Sequence, residues 1–220
     1  MLVVGFDTAT PAIGVALHDG ARVVSSALTV DARRQGELLA PLIAKVMADA
    51  GADRGDLTGV AVGVGPGPYT GLRVGLITAR VLGSVLDIPV YGVCTLDIIA
   101  AEAEPTGHTE FLVATDARRK EVYWARYDAA GRRLNGPSVG PADGIEGAHD
   151  LPVAGDGGRL YPGAFGEPLA PAHPDARFLC EIVVRQLSMS ENPELLPPEP
   201  LYLRRPDARE PGAPKRVTPP

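Results

Sequence analysis

The sequence repeats one β-hairpin pattern in its two halves. Near the N-terminus the chain reads LVVGFD, a short turn and IGVALHDG, so that one strand ends at Asp7 and the next runs to Asp19. The pattern returns 109 residues later as FLVATD, a turn and VYWARYD, with the corresponding aspartates at Asp116 and Asp128. Such hairpins also recur by chance, but the shared aspartate spacing predicts two similar α/β subdomains, each opened by a hairpin.

Strand patterns alternate with helix patterns along the rest of the chain. Strands are predicted at 23–29, 57–64, 89–93 and 151–154, and helices at 36–49, 70–86, 95–104 and 175–187. This alternation predicts mixed sheets flanked by helices. We therefore expect an N-terminal subdomain at 1–104, a C-terminal subdomain at 105–204 and a flexible, basic, proline-rich tail at 205–220.

Composition and charge narrow the classes of function. The 220 residues carry a formal net charge of −6, which argues against a protein that grips nucleic acid by charge alone. The two cysteines, Cys94 and Cys180, lack the spacing of a metal or redox motif, as expected in a reducing cytosol. The N-terminus lacks the basic start of a signal peptide, and no apolar run reaches the ~20 residues of a membrane helix. We expect a soluble cytoplasmic protein.

A glycine-rich loop, VGPGPYTGLRVG at 64–75, follows the strand predicted at 57–64. It lacks the lysine of a Walker loop, and Gly65, Gly67 and Gly71 are spaced one residue too long for the dinucleotide fingerprint. Thr70 is nevertheless a candidate N-cap, with free backbone N–H groups behind it that could bind an anion. The alternative is a rigid strand-to-helix turn, stiffened by prolines and made possible by glycines. The loop alone leaves both open.

The helix predicted at 70–86 carries a stripe of small residues at Gly71, Gly75, Ala79 and Gly83. A glycine inside a helix costs up to ~1 kcal/mol relative to alanine, so two interior glycines on one face indicate a compensating use. Such a stripe lets another element approach the helix backbone closely. That element lies either within the same domain or on a partner subunit.

Several motifs resemble the TsaB (YeaZ) family. GPGPYTGLRVG is similar to the family signature Gly-Pro-Gly-Ser-Phe-Thr-Gly-Leu-Arg-Ile-Gly. The other similar segments fall in the family's order between residues 2 and 204: GFDTAT, IPVYGVCTL, DARRKEVYWA and PLYLR. One departure is Gln35, where many members have histidine two positions before Glu-Leu-Leu-x-Pro.

The resemblance implies a fold and a role. The fold is the duplicated α/β type of actin, Hsp70, hexokinase and acetate kinase (ASKHA, ribonuclease H-like). The role is that of a non-catalytic dimerisation subunit that supports TsaD in forming threonylcarbamoyladenosine in tRNAs reading codons that begin with A. TsaD would bind helices 36–49 and 70–86, the ATPase TsaE would join, and the chain alone would form a homodimer. The expected interface residues are Leu38, Leu42, Gly71, Leu72, Gly75, Ala79 and Gly83.

Nucleotide chemistry in this fold uses two phosphate-binding hairpins. The first hairpin here offers Asp7, Thr8 and Thr10, and with Gly65 and Gly67 it is a candidate vestigial nucleotide site. Asp7 could hold Mg²⁺ through water or pair with backbone amides of its own turn. The second hairpin reads ARRKE at 117–121 where a kinase of this fold has a glycine-rich turn, and its bulky side chains cannot reproduce a backbone cradle. We expect no cofactor bound by this chain alone, while an adenine nucleotide at the junction with TsaD stays open.

The sequence has no set of residues with the spacing of metal ligands. TsaD carries a His-x-x-x-His pair, which places two imidazoles one helical turn apart facing one ion; the resemblance puts Thr95 and Ile99 at those places. The four histidines are scattered and are expected on the surface or in loops: His18, His108, His149 and His173. We expect no metal site and no catalytic residue. Two alternative functions are an ATP-dependent phosphotransferase of the same fold and a metallopeptidase.

Basic residues give one further expectation. Arg118, Arg119 and Lys120 in the second hairpin, with the basic tail after Arg204, could give weak, salt-sensitive help to tRNA docking. The alternative is solvated charge without a ligand.

Overall fold

The computed structural model describes residues 1–190 and 193–204 and contains two mixed β-sheets. In the first sheet β1 and β2 form the N-terminal hairpin, β3 continues it antiparallel, and β4 and β5 run parallel to β1 on its other side. The strand order is β3-β2-β1-β4-β5. The strands are β1 (Val3–Asp7), β2 (Ala12–His18), β3 (Val23–Val30), β4 (Gly59–Gly63) and β5 (Val90–Val93).

The second sheet repeats this arrangement with one strand fewer. Its order is β8-β7-β6-β9, with an antiparallel hairpin β6–β7, antiparallel β8 beside it, and β9 parallel to β6. Its strands are β6 (Glu110–Asp116), β7 (Glu121–Asp128), β8 (Arg133–Pro141) and β9 (Val153–Ala154). The matching order and directions confirm the duplicated α/β fold predicted from the hairpin repeat.

The four repeated aspartates have matching local roles. Oδ1 of Asp7 accepts the N–H two residues ahead at 2.7 Å, and Oδ1 of Asp116 does the same at 2.7 Å. Oδ1 of Asp19 accepts two backbone N–H groups of the following turn, both at 2.8 Å, and Oδ1 of Asp128 accepts two at 3.0 and 2.9 Å. Aspartate favours turns because its carboxylate can replace a backbone acceptor in this way. Each aspartate that predicted the duplication therefore stabilises a turn at an end of its hairpin.

Over the described residues, five α-helices accompany the sheets. They are α1 (Gln35–Asp49), α2 (Tyr69–Leu86), α3 (Thr95–Glu102), α4 (Gly157–Leu160) and α5 (Ala176–Met189). Helices α1 and α2 bury an apolar stripe each, including Leu39, Val46, Leu72 and Leu76, in the core cluster beneath the first sheet. Helix α2 begins at Tyr69 with Pro68 as its N-cap residue and no side-chain capping hydrogen bond, so the prediction of Thr70 as N-cap was wrong.

Helix α5 packs on the first sheet, although the sequence assigned it to the second subdomain. Leu179 and Val183 share an apolar cluster with Val3 and Ala61 of β1 and β4, and Cys180 packs with Ala16 of β2. The physical reason is that β1 and β2 are buried along their whole length, so both faces of the first sheet must be covered. Helices α1 and α2 cover one face, and α5 covers the other. The division into subdomains at 1–104 and 105–204 stays a prediction, and α5 is the part of the second range that packs on the first sheet.

Helix α3 and the end of the chain join the two halves. Leu96 and Ile99 of α3 belong to the same buried cluster as Phe111 and Tyr127 of the second sheet. We call residues 193–204 the C-terminal strap; Leu196 bridges to Gly92 of β5 through two backbone hydrogen bonds of 2.8 and 2.9 Å. The tail predicted at 205–220 lies outside the described residues. In the described part of the chain, no helix combines the length and hydrophobicity needed to cross a bilayer.

Candidate functional site

The turn between β1 and β2 carries Asp7, the first residue of the predicted nucleotide site. Its side chain is 1% exposed. Oδ2 accepts a hydrogen bond from the Thr95 hydroxyl at 2.6 Å, and Oδ1 accepts the Ala9 N–H at 2.7 Å. Burial raises the pKa of Asp7 to about 6, although both hydrogen bonds lower it. Both oxygens of Asp7 therefore have partners inside the protein: Oδ1 pairs with an amide of its own turn, as one of the two alternatives predicted, and Oδ2 pairs with the distant side chain of Thr95.

Thr8 inserts its hydroxyl into helix α2. Oγ1 donates to the carbonyl of Gly71 at 2.7 Å and accepts the N–H of Gly75 at 3.0 Å. In a regular α-helix these two backbone groups, four residues apart, pair with each other. Thr10 is also buried, and its hydroxyl accepts the N–H of Ala12 at 3.2 Å. The two hydroxyls predicted to face a nucleotide thus bind the backbone of the same domain.

Gly65 and Gly67 complete the predicted set, and the structure brings all five residues together. The N–H of Gly65 donates to Thr95 Oγ1 at 3.1 Å, and the N–H of Thr95 donates to the Gly65 carbonyl at 2.8 Å. A Cβ atom at Gly67 would collide with the carbonyl oxygen of Ala9. The glycine-rich loop had two interpretations, an anion-binding loop and a rigid strand-to-helix turn, and these contacts match the rigid turn. A nucleotide at these residues stays a prediction.

The space between the two hairpins is small. A cavity of ≈ 10 Å³ lies between Thr10 on the first hairpin and Asp116 on the second. A volume of this size holds about one water molecule. In this arrangement a phosphate group could enter only if the two hairpins moved apart.

The second hairpin has an unusual backbone at its tip. Arg118, Arg119 and Lys120 have φ values of 62°, 58° and 63°, so three consecutive residues with side chains adopt the left-handed conformation. This conformation costs roughly 1–2 kcal/mol for each such residue. All three side chains are exposed, and Arg118 pairs with Asp116 at 2.9 Å. Charge at this turn was visible in the sequence, but the strained backbone was not.

The small stripe of α2 is buried against the chain's own first subdomain. A Cβ atom at Gly71 would collide with the carbonyl oxygen of Thr8, one at Gly75 would lie 2.6 Å from Thr8 Oγ1, and one at Gly83 would collide with Val90. Ala79 and Leu72 are buried as well. These contacts correct the assignment of Gly71, Leu72, Gly75, Ala79 and Gly83 to a partner interface, since the stripe has its neighbour already. A partner contact elsewhere on α2 stays a prediction.

A different face of α2 is open. Ile77, Val81 and Val85 are 60%, 54% and 76% exposed, and their spacing of four residues aligns them along the helix. We call these three residues the apolar face of α2. Leu38 and Leu42 of the neighbouring helix α1 are half-buried. This face was not among the predicted interface residues, although Ile77, Val81 and Val85 already show helical spacing in the sequence.

The positions compared with metal ligands have other roles. Thr95 and Ile99 are fully buried. The Thr95 hydroxyl donates to Asp7, and Ile99 lies in the core cluster shared with the second sheet. His18 is buried at the end of β2 and its Nδ1 accepts the N–H of Gly20 at 3.0 Å, which corrects the expectation of a surface or loop position. Among the described residues, no three histidine, cysteine or carboxylate side chains converge as metal ligands.

Gln35, the departure from the family pattern, lies close to the first hairpin. It is buried, and its side-chain amide lies 3.4 Å from the carbonyl of Thr10, to which it donates. It also lies beside Gly71, where a Cβ atom would come within 3.1 Å of its Nε2. Gln35 therefore supports the same turn that Thr8 ties to helix α2.

Known proteins match this chain over most of its length. A family model described as "TsaD: tRNA N6-adenosine threonylcarbamoyltransferase" matches residues 29–152. Uncharacterised proteins of Mycobacterium tuberculosis and Mycobacterium bovis are 43% identical over 210 residues, which is 94% of this chain and 93% of each relative. The Escherichia coli tRNA threonylcarbamoyladenosine biosynthesis protein TsaB is 36% identical over 129 residues, which is 58% of this chain and 55% of that protein.

A solved structure agrees with these sequence matches. The structure of YeaZ from Pseudomonas aeruginosa superposes with a TM-score of 0.76 at 27% identity, covering 92% of this chain and 99% of that one. The family model spans more than half of the chain, and the structural match extends across both sheets. The chain therefore belongs to the family that this model describes, and within it to the TsaB (YeaZ) type.

Proposed function

We propose that this chain is a non-catalytic, cytoplasmic subunit that binds a TsaD protein and supports its formation of threonylcarbamoyladenosine in tRNA. The observation that carries the proposal is the apolar face of α2, because a row of exposed Ile and Val side chains on a helix is typical of a binding surface. The family membership supplies the reaction, and the helix face supplies the means of joining a partner.

The size of this face indicates what the partner must cover. Fully burying an Ile or Val side chain gives ~1.5–3 kcal/mol, so covering the exposed parts of Ile77, Val81 and Val85 would give roughly 3–6 kcal/mol. Association itself costs about 4–15 kcal/mol in lost motion. A stable complex therefore needs further contacts, and we expect the half-buried Leu38 and Leu42 of α1, the helix that packs beside α2, to supply some of them.

The interior of the first hairpin supports a non-catalytic role. Asp7, Thr8 and Thr10 direct their polar atoms at backbone and side-chain groups of the same subdomain. Chemistry on a phosphate needs such groups directed at the substrate.

In the absence of TsaD we propose that two copies pair through the same helix face by a twofold contact, and that TsaE joins the complex with TsaD.

The experiment is co-purification with the TsaD protein of the same organism. We expect Val81→Glu to abolish recovery of TsaD and to leave the thermal unfolding midpoint within a few degrees, because the side chain is exposed. Leu134→Glu is the matched control: Leu134 is 52% exposed, but it lies on β8 of the second sheet. Wild-type recovery of TsaD with Val81→Glu, or an equal loss with the control, would contradict the proposal.

A second measurement separates this role from the phosphotransferase alternative. Modified tRNA should form only when this chain and TsaD are present together, and Val81→Glu should reduce it in parallel with TsaD recovery. Hydrolysis or transfer from ATP by the isolated chain at an ordinary enzymatic rate would count against a non-catalytic subunit.

A further inference from the structure

A second surface combines aromatic rings with positive charge. A cavity of ≈ 200 Å³ lies between the start of α2, the tip of the second hairpin and the C-terminal strap. We call it the tyrosine–arginine cleft, after the side chains that line it: Tyr69, Tyr123, Tyr202, Arg118, Arg119 and Arg204. It lies beside the narrow space between the two hairpins and shares only Pro68 and Arg118 with it.

The aromatic side of the cleft is held in place by contacts between α2 and the strap. The rings of Tyr69 and Tyr202 lie 4.8 Å apart between centroids at 46° to each other. Arg73 Nε donates to the Tyr202 hydroxyl at 3.0 Å, and the Arg73 guanidinium carbon lies 5.6 Å from the Tyr69 ring centroid. Tyr202 remains 41% exposed. The rings are therefore fixed and still open to a planar ligand.

The basic side of the cleft is the strained turn of Arg118, Arg119 and Lys120, of which Arg118 and Arg119 line the cavity and Lys120 follows them on the outside. Glycine would adopt these left-handed angles without strain, yet three long cationic side chains stand here, all exposed. Strain of this kind clusters at functional sites, where surrounding structure maintains it. Two carboxylates of the same hairpin are nearby: Asp116 pairs with Arg118, and Glu121 pairs with Arg204.

The strap fixes the relation between the two sides. Arg204 donates to the carbonyl of Ala117 at 3.0 Å and contacts Glu121, while its own carbonyl accepts the Tyr69 hydroxyl at 3.1 Å. The same residue thus ties the basic hairpin to the aromatic start of α2. Ligand groups bound at the two sides would be held at one fixed separation.

The volume of the cleft favours a segment of a nucleic-acid strand over a free nucleotide as its ligand. Sites that enclose a whole small molecule are about 300–1,000 Å³, so a cavity of ≈ 200 Å³ accommodates a part of one. Proteins bind single strands by stacking a base on an aromatic ring while cations contact the backbone outside. We propose that the tyrosine–arginine cleft binds a single-stranded segment of RNA, with one base against Tyr202 and phosphates on the turn of Arg118, Arg119 and Lys120.

This inference goes beyond the proposed function, in which this chain meets tRNA through TsaD. The two are separable because the cleft and the apolar face of α2 are formed by different side chains. A variant that loses RNA binding but still recovers TsaD would be affected in the cleft alone. A variant that loses TsaD but still binds RNA would be affected in the apolar face of α2 alone.

The test measures fluorescence anisotropy of a labelled single-stranded oligoribonucleotide with the full chain at several salt concentrations. We expect the triple substitution Arg118→Gly, Arg119→Gly, Lys120→Gly to weaken binding about tenfold or more at low salt. We also expect it to reduce the slope of log affinity against log salt by about 2, since each phosphate contact contributes roughly 0.7 for a single strand. Glycine suits the left-handed angles, so the turn keeps its conformation.

The control for charge is Arg132→Gly in the turn that follows β7. Seven residue steps of strand separate the two ends of β7, so this turn lies ~23 Å from the basic tip. Its side chain is exposed and paired with Asp128. Binding should stay within about twofold of wild type and the salt slope should be unchanged.

Stacking has its own pair of variants. Tyr202→Ala should weaken RNA binding about fivefold to hundredfold, whereas Tyr202→Phe keeps the ring and should retain it within a few fold. The RNA assignment is overturned by absent RNA binding, by a triple-glycine variant that binds as wild type, or by equal affinity of the Ala and Phe variants. Binding of ATP alone as tight as RNA, and lost in the triple-glycine variant, would assign the cleft to a free nucleotide instead.

Discussion

The Thr95 hydroxyl donates to the Asp7 carboxylate over 2.6 Å and connects the first hairpin to the start of helix α3. Thr95 also accepts the N–H of Gly65, so one side chain joins the hairpin, the glycine-rich loop and α3. The resemblance to the family placed Thr95 where the TsaD protein has a metal-binding histidine. In this chain the position binds a carboxylate within the protein, which is a structural role.

This buried contact predicts how stability depends on pH. Burial raises the pKa of Asp7 from 3.8 to about 6, so between these values the folded protein holds a proton that the unfolded chain releases. Its contribution to stability is full below the unfolded pKa and is lost as pH rises to the folded pKa. The loss amounts to about 3 kcal/mol. We expect wild type to lose this much stability relative to Asp7→Asn between about pH 4 and pH 7, measured by urea unfolding.

Comparison with Asp7→Asn isolates this one group. Asp19, Asp31 and Asp128 have pKa values lowered mainly by hydrogen bonds, and their opposite pH dependence is present in both proteins and cancels. The asparagine can still accept the Ala9 N–H. If the difference in unfolding free energy between the two proteins stayed constant with pH, Asp7 would have an ordinary pKa. Since the hydrogen bonds of Asp7 within the described part of the chain are both internal, the variant should also support tRNA modification with TsaD at wild-type yield.

The insertion of Thr8 into α2 explains why Gly75 is a glycine. A Cβ atom there would lie 2.6 Å from Thr8 Oγ1, closer than such contacts permit, so Gly75→Ala should destabilise the protein by about 1–3 kcal/mol. In a Thr8→Ala background the conflicting hydroxyl is absent. There the same Gly75→Ala change should be stabilising by up to ~1 kcal/mol, through helix propensity. The measurement is a double-mutant cycle by chemical denaturation.

Gly36→Ala is the matched control for that cycle. Gly36 is also helical and exposed, and a Cβ atom there meets only Val74 at an ordinary 3.9 Å. We expect it to be neutral or stabilising in both backgrounds, with no coupling to Thr8. A Gly75→Ala effect of one sign regardless of residue 8 would show that the glycine is required for a reason other than this hydroxyl.

Much of the fold was predictable because it depends on local chemistry. The aspartates at 7, 19, 116 and 128 each accept amides of their own turn, so their positions in the sequence marked the turns of both hairpins. Helix α2 was also predicted nearly to its ends, since its apolar positions repeat with helical spacing. The exception was its first residue, where proline forms the cap without a side-chain hydrogen bond.

What the sequence left undetermined depends on contacts between distant segments. The small stripe at Gly71 and Gly75 indicated a close neighbour, but only the folded chain identifies it as Thr8, more than sixty positions away. Helix α5 has an apolar side that would suit either sheet, and burial of both faces of β1 determined which. The left-handed turn at Arg118 has no sequence signal, because such angles normally indicate glycine or asparagine.

The two cysteines give a prediction about reactivity. Burial raises the pKa of the Cys94 thiol to about 12, with the charge of Asp97 adding to the rise, and burial raises the pKa of Cys180 further above its usual range. The thiolate is the reactive form, so neither residue should react with a disulfide reagent while the protein is folded. We expect both to be modified at the rate of global unfolding, followed by absorbance across a denaturant series.

Single variants assign the reacting residue. Cys94→Ala and Cys180→Ala each leave one thiol, and each remaining thiol should show the same dependence on denaturant if its exposure requires unfolding of the shared structure. Cys180 lies between α5 and the first sheet, close to the backbone of Gly5, whereas Cys94 lies in the cluster that joins the two sheets. Faster modification of Cys94 in native buffer would therefore show that the halves of the protein separate before the first sheet opens.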